Sequence, residues 1–268
     1  MEFSRVTRAA LRAITSLGFG FLYLPLIVVA VLSFNTSRSF SWPPDGFTSS
    51  WWSKAAANSD VRLALVQSLK TALIASLIAL MLGSMAAFAV QRFRFFGRET
   101  ISFLVILPIA LPGIVTGIAL NRAFRSLGVS IGFLTLVIAH ATFCIVVIYN
   151  NVIARLRRLS PNLEEASSDL GANSFQTFRY VTFPMVRSAL LAGGLLAFAL
   201  SFDEIVVTTF TSGPGIQTLP QWIFNNMFRP NNLPLVNVVA TAVVLLSIIP
   251  VWLAQRLSDG TSPVGNRS

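Results

Sequence analysis

The chain has 268 residues, of which 54% are hydrophobic and only 11% charged. Soluble domains carry about 25% charged residues, so this composition excludes an ordinary soluble enzyme or binding domain and points to a membrane-embedded chain. The net charge of +10 would suit a nucleic-acid binder. Its basic residues, however, are mostly arginines that flank apolar segments (Arg5, Arg8, Arg12; Arg92, Arg94, Arg98; Arg155, Arg157, Arg158), the arrangement that orients membrane proteins. No nucleic acid is expected as a partner.

Six segments are apolar enough to cross a bilayer, which takes roughly 20 residues each: 13–34, 64–90, 100–121, 131–153, 187–208 and 235–255. With both termini inside, thirteen of the twenty Lys and Arg residues fall on the inner side. Arg38, Lys54, Arg62, Arg122, Arg125 and Arg229 fall outside, and the reverse orientation would invert that ratio. The first segment is longer than the apolar stretch of a signal peptide, and no small-x-small cleavage site follows it, so it is expected to stay as a helix. Pro25 within it removes a backbone donor and should kink it.

The outer loop 35–62 brings Trp42, Trp51 and Trp52, expected as anchors at headgroup depth. In the second segment Lys70 should snorkel outward. Pro108 and Pro112 are expected to kink the third segment. The fourth carries His140, with no second His, Asp or Glu nearby in sequence, and the lone Cys144, which excludes an internal disulfide. A hydrogen-bonded packing histidine is favoured there over a metal or proton site.

Next comes a polar island, residues 160–186. Ser160-Pro161 reads as a helix start, Ser as N-cap and Pro in the first turn. Glu164 and Glu165 then suit the positive end of the helix dipole. Leu163, Ala166 and Leu170 recur at helical spacing, and Gly171 reads as a left-handed stop. Asn173 and Gln176 form a capping box for a second short helix, whose apolar side is Phe175 and Phe178, and Pro184 is expected to end it. The reading is helix, glycine turn, helix, protruding on the inner side.

In the fifth segment Gly193-Gly194 and nearby alanines suggest a close helix crossing, within this chain or against a partner. Asp203 and Glu204 are adjacent acids in the same segment. An acid at the bilayer centre costs about 2.5–3.5 kcal/mol, so the pair should face a cavity, a partner helix or the aqueous rim. It would attract a cationic solute, or else merely bond neighbouring helices at the outer interface. The second outer loop starts with the turn-forming Ser212-Gly213-Pro214-Gly215, and 217–229 reads as a short interfacial helix before the sixth segment.

The run Glu165-Ala166-Ser167, Gly171, and Val181-Thr182-Phe183-Pro184 resembles the EAA signature of ATP-binding-cassette (ABC) importer permeases. Ser167 stands where the pattern has its second Ala, and Val181 and Phe183 are apolar substitutes. The third-segment run LPIALPGIVTGIAL and the run SFDEIVVTTFTSGPGIQTLP are similar to the PotC/PotI-type permeases of spermidine/putrescine importers, over roughly residues 60–256. The resemblance implies an all-α, six-helix inner-membrane permease of the type I importer kind, with one transmembrane domain over 1–268. The 160–186 hairpin would be its contact with a dimeric ATPase. It assigns that coupling role to Glu164, Glu165, Ala166, Ser167, Asp169, Leu170, Gly171, Ala172 and Pro184, and makes Asp203 and Glu204 candidates for the substrate pathway. Its expected partners are that ATPase, a second homologous permease, a periplasmic substrate-binding protein and membrane lipid. The cargo would be a polyamine or another small organic solute.

ATP and Mg²⁺ are expected on the ATPase, since neither of the chain's two lysines, Lys54 and Lys70, follows a P-loop glycine pattern. A secondary transporter acting alone would need paired midplane charges and internal repeats. A membrane enzyme would need a clustered catalytic set. The chain offers neither.

Overall fold

The structure is a computed structural model that describes residues 4–160, 162–229 and 231–259, and among these every regular element is a helix. Contacts divide them into two compact units, 4–62 with 222–251 and 63–221 with 252–259.

In the first unit, α1 (Arg5–Leu32) is capped by Ser4, whose hydroxyl accepts from the Thr7 amide at 3.1 Å. It stays helical across Pro25. Neighbouring helices, Ser and Thr side chains and local backbone adjustment can replace the lost donor in a membrane segment. The loop after it is organised by Asn35, which is 1% exposed. The Asn35 amide donates to Ser41 and accepts from the backbones of Ser37 and Asp45. Trp51, on α2 (Ser50–Ala57), donates its indole N–H to the Asn35 carbonyl at 3.0 Å, and Trp52 stacks on Phe34. Both rings close the loop, whereas Trp42 is exposed.

The second unit holds most of α3 (Ser59–Arg92), then α4 (Arg98–Ala110), α5 (Gly113–Ser126) and α6 (Phe133–Leu156). The third apolar segment is broken into two helices. α4 and α5 turn by 111° at Leu111-Pro112. Pro112 has no N–H to continue α4, and it bends Leu111 into extended backbone, so the chain restarts as a new helix.

Beyond α6 come α7 (Asn162–Asp169), α8 (Ser174–Thr177), a π-helical turn (Phe178–Thr182) and α9 (Phe183–Asp203). The last three run on as one helix, Ser174–Asp203. Pro184 therefore does not end the second hairpin helix as its chemistry suggested. The wide turn lets the Phe183 amide reach back five residues to Phe178, and the proline falls at the start of the next regular stretch, where its missing donor matters least. The fifth segment also differs at its far end. α9 stops at Asp203, and α10 (Val206–Thr211) is a separate short helix. α11 (Leu219–Met227) fills the expected interfacial stretch, and α12 (Leu233–Asp259) is the last helix.

α6 is the centre of this unit. Ala75, Ala79, Gly83 and Ala87 recur every fourth residue on α3 and are buried, as are Gly193, Ala197 and Ser201 on α9. Small residues let helix backbones approach closely where lipid removes the hydrophobic drive to associate. Ile148 of α6 sits between them. A Cβ on Gly83 would lie 2.9 Å from Ile148 Cβ, and one on Gly193 would lie 3.3 Å from Ile148 Cδ1. The crossing read from Gly193-Gly194 is thus made inside the chain. Among the described residues four helices are long and apolar enough to cross a membrane, or five if the bent α4–α5 pair counts as one, and α12 adds the apolar stretch Leu233–Ile248.

Candidate functional site

The α7–α8 hairpin forms where the sequence anticipated it, and local chemistry explains its shape. Pro161, half of the expected helix start, lies outside the described residues. At the other end the Gly171 amide bonds to Ser168 O and the Ala172 amide to Ser167 O. That pair is the Schellman arrangement, with Gly171 at φ +84°, a left-handed conformation that glycine adopts without steric cost. The capping box on α8 is complete. The Asn173 side chain accepts from the Gln176 amide, and Gln176 returns the bond, each at 2.9 Å.

The two helices are held together by contacts that the sequence did not announce. Ser167, the departure from the alanine pattern, has its hydroxyl 3.0 Å from Thr177 Oγ1 and so ties α7 to α8. Glu164 turns inward, where its carboxylate accepts from the Arg92 guanidinium at the end of α3 and from Thr182 Oγ1 at 2.6 Å. Arg92 also donates to Thr182 at 3.1 Å. Three elements far apart in sequence meet at one carboxylate, and no local signal marks Arg92 or Thr182 as its partners.

With Glu164 and Ser167 facing the protein, the stripe Leu163, Ala166 and Leu170 faces outward, and Leu170 is 89% exposed. Glu165 and Asp169 are exposed on the same helix, and Ala172 is half-buried beyond the turn. Phe175 and Tyr180 are exposed on the following turns. α7 is therefore a short helix with its polar contacts directed inward and its apolar side uncovered. Exposed apolar surface rimmed by polar residues marks an interaction site.

The acids at the far end of α9 are separated by the structure. Glu204 lies in the extended link between α9 and α10, half-buried, and its carboxylate accepts from the Val207 amide at 2.8 Å. It caps α10 as an acid caps a helix N-terminus. Asp203 is exposed and has no hydrogen bond among the described residues. Of the two, Asp203 is the acid left available to a ligand.

α10 itself is fastened on both sides. Asn121 of α5 donates to Phe210 O, and Thr135 of α6 donates to Thr211 O at 2.9 Å. Gly213 passes so close that a Cβ there would lie 2.6 Å from Ile131 O. Behind the break is His140, fully buried, with Nδ1 2.8 Å from Ser201 Oγ and Nε2 2.9 Å from Thr208 Oγ1. His140 is a hydrogen-bonded histidine of the interior. That it joins α6 to both sides of the α9–α10 break was not legible from the sequence.

Residues 79–262 match the family described as binding-protein-dependent transport system inner membrane component. The chain is 35% identical over 241 residues to the spermidine/putrescine transport system permease protein PotC of Escherichia coli (strain K12), covering 90% of each chain. It is 36% identical over 252 residues to the putrescine transport system permease protein PotI of the same organism, covering 90% of this chain and 89% of that one. Among solved structures, a bacterial ABC transporter involved in the import of the acidic polysaccharide alginate matches 98% of this chain and 100% of its own, with a TM-score of 0.72. At 17% identity that likeness speaks for the fold alone. The profile match and the two relatives agree with the EAA pattern and the membrane helices. The chain therefore belongs to the binding-protein-dependent transport system inner membrane components, as the permease subunit of an ABC importer whose ATPase is a separate subunit.

Proposed function

We propose that this permease forms half of the membrane pathway of a polyamine importer and that residues 160–186 are its contact with a dimeric ATPase. The observation that carries the coupling role is the exposed stripe of Leu163, Ala166 and Leu170 on a helix whose other side is tied down by Glu164, Arg92 and Thr182. An apolar helix face suits a groove in a partner protein. Glu165, Asp169, Gly171 and Ala172 complete the contact, Ser167 supports it from behind by holding α7 to α8, and Pro184 marks the join to α9.

A push on α7 reaches α3 through Glu164–Arg92 and the root of α9 through Thr182. Both helices flank α6, so ATPase closure would rock the spans against one another between inward- and outward-open states. In this reading ATP and Mg²⁺ bind the ATPase, and the termini and hairpin lie in the cytosol. A periplasmic binding protein delivers the solute to the outer loops, and a second homologous permease lines the other half of the pathway.

The names of the relatives support a spermidine or putrescine cargo, and the exposed carboxylate of Asp203 offers a charge for its ammonium groups. The test is uptake of labelled spermidine by the importer reconstituted with its ATPase and binding protein. Asp203→Asn should lower uptake about tenfold, the loss of roughly one charged hydrogen bond, while Glu204→Gln keeps an oxygen for the Val207 amide and stays near the parent. Uptake of a neutral solute in preference to spermidine would overturn the polyamine reading. Unchanged uptake by Asp203→Asn would remove that residue from the pathway.

A further inference from the structure

The α9–α10 break is crossed by a side chain of a third helix. Ser201 lies two residues before Asp203 on α9, Thr208 lies four residues after Glu204 on α10, and the His140 ring bonds to both. Donor bookkeeping gives these bonds a direction. Thr208 spends its hydroxyl hydrogen on Glu204 O at 2.9 Å, so its oxygen accepts from Nε2–H of His140. The other ring nitrogen is then the acceptor for the Ser201 hydroxyl. All three side chains are buried, at 0%, 3% and 0% exposure for His140, Ser201 and Thr208. Water cannot replace either bond without opening the packing. Glu204 is occupied with the α10 amide, whereas Asp203 sits exposed at the end of α9, the helix that the histidine tethers.

We propose that His140 is a positioning residue of the transport pathway. By bonding Ser201 before the break and Thr208 after it, it sets the angle of the α9–α10 junction and thereby aims the Asp203 carboxylate at a passing ammonium group. The cargo part of this statement rests on the polyamine reading above. The positioning part rests on the two bonds alone. An apolar side chain at 140 takes the acceptor from the Ser201 hydroxyl and one donor from the Thr208 oxygen, which keeps its own bond to Glu204 O, and the junction relaxes to satisfy the buried groups. The end of α9 then turns.

The experiment uses the reconstituted importer with the natural cysteine removed (Cys144→Ala) and Asp203→Cys added. The readout is the rate at which a cationic methanethiosulfonate reagent labels position 203. His140→Leu should change that rate about fivefold or more, the equivalent of one lost hydrogen bond. His140→Gln, which keeps an amide donor, should return it to within about twofold of the parent. Ser201→Ala, which leaves the ring in place, should shift the rate in the same direction as His140→Leu. Co-purification with the ATPase confirms that each variant is assembled. A rate in His140→Leu that stays within about twofold of the parent overturns the proposal, and so does an unshifted rate in Ser201→Ala, because ring packing and not the bonds would then be responsible. The cargo reading fails separately: it falls if the importer takes up a neutral solute in preference to spermidine, while a His140-dependent labelling rate still upholds the positioning role.

Discussion

Replacing Glu164 separates a structural clamp from a solvated helix-start carboxylate, because the two readings differ in size. Arg92 and Glu164 are each 35% exposed in their side chains, so water screens their attraction, and such pairs contribute about 0.2–1 kcal/mol. The Thr182 bond is different. That threonine is 1% exposed, and a hydrogen bond to a charged group contributes about 1.5–3 kcal/mol. Glu164→Ala removes both partners and should destabilise the docking of α7 by about 2 kcal/mol. Glu164→Gln keeps an oxygen for Thr182 and should cost about 1 kcal/mol.

The consequence is local opening of the hairpin with little change in global unfolding. Hydrogen exchange at the Ala172 amide, which bonds to Ser167 O, should quicken about 30-fold in Glu164→Ala and about fivefold in Glu164→Gln, as these energies require. The assay is exchange mass spectrometry on the purified permease, following peptides over 162–182. Arg92→Gln should resemble Glu164→Gln, and the double variant should add little to either. Exchange in Glu164→Ala within about twofold of the parent would show that α7 is held by its caps alone, and fully additive effects of the two glutamines would show that Glu164 and Arg92 act independently; by either result the mechanical link to α3 would be lost.

Gly171 at φ +84° would have no atom within 4 Å of an added Cβ, so the cost of substitution there is backbone strain, about 1–2 kcal/mol for most residues. Gly171→Asn, which tolerates this conformation, should keep ATPase co-purification, and Gly171→Val should weaken it about tenfold or more. Full assembly of the valine variant would refute the turn's role. In the helix core, Gly83→Ala places a Cβ 2.9 Å from Ile145 O and Ile148 Cβ and should destabilise by about 1–3 kcal/mol. Gly194→Ala meets only Leu80 Cδ1 at 3.8 Å and should be nearly silent. Equal shifts in thermal unfolding would count against Ile148 as the knob between α3 and α9.

What could be read in advance was whatever depends on neighbours along the chain. The Gly171 stop and the Asn173–Gln176 box need only residues within one turn, and both formed as their residue types require. Pro184 looked like a stop because proline forbids a regular helix interior. A π turn just before it removes that conflict, and its formation depends on which packed faces the continued helix must present. The third segment shows the reverse case, since of the two prolines read as kinks Pro108 lies within α4 and Pro112 marks a 111° turn between separate helices.

The sequence by itself determined the membrane class, the hairpin and the family, because hydropathy, caps and motif spacing are written in consecutive residues. Tertiary structure decided the rest. It turned Glu164 inward to Arg92, and it left Leu163, Ala166 and Leu170 exposed on α7 beside Glu165 and Asp169. It gave Ser167 a partner in Thr177, and it divided two adjacent acids into a cap at Glu204 and an open carboxylate at Asp203. It also placed His140 across the α9–α10 break. Apart from the Glu204 cap, which reaches only three residues along the chain, each of these is a directional polar contact between residues 10 to 72 positions apart, or the exposure such contacts leave behind. Which partners meet is set by close packing of α3 and α9 on α6, and no stretch of the sequence contains that packing.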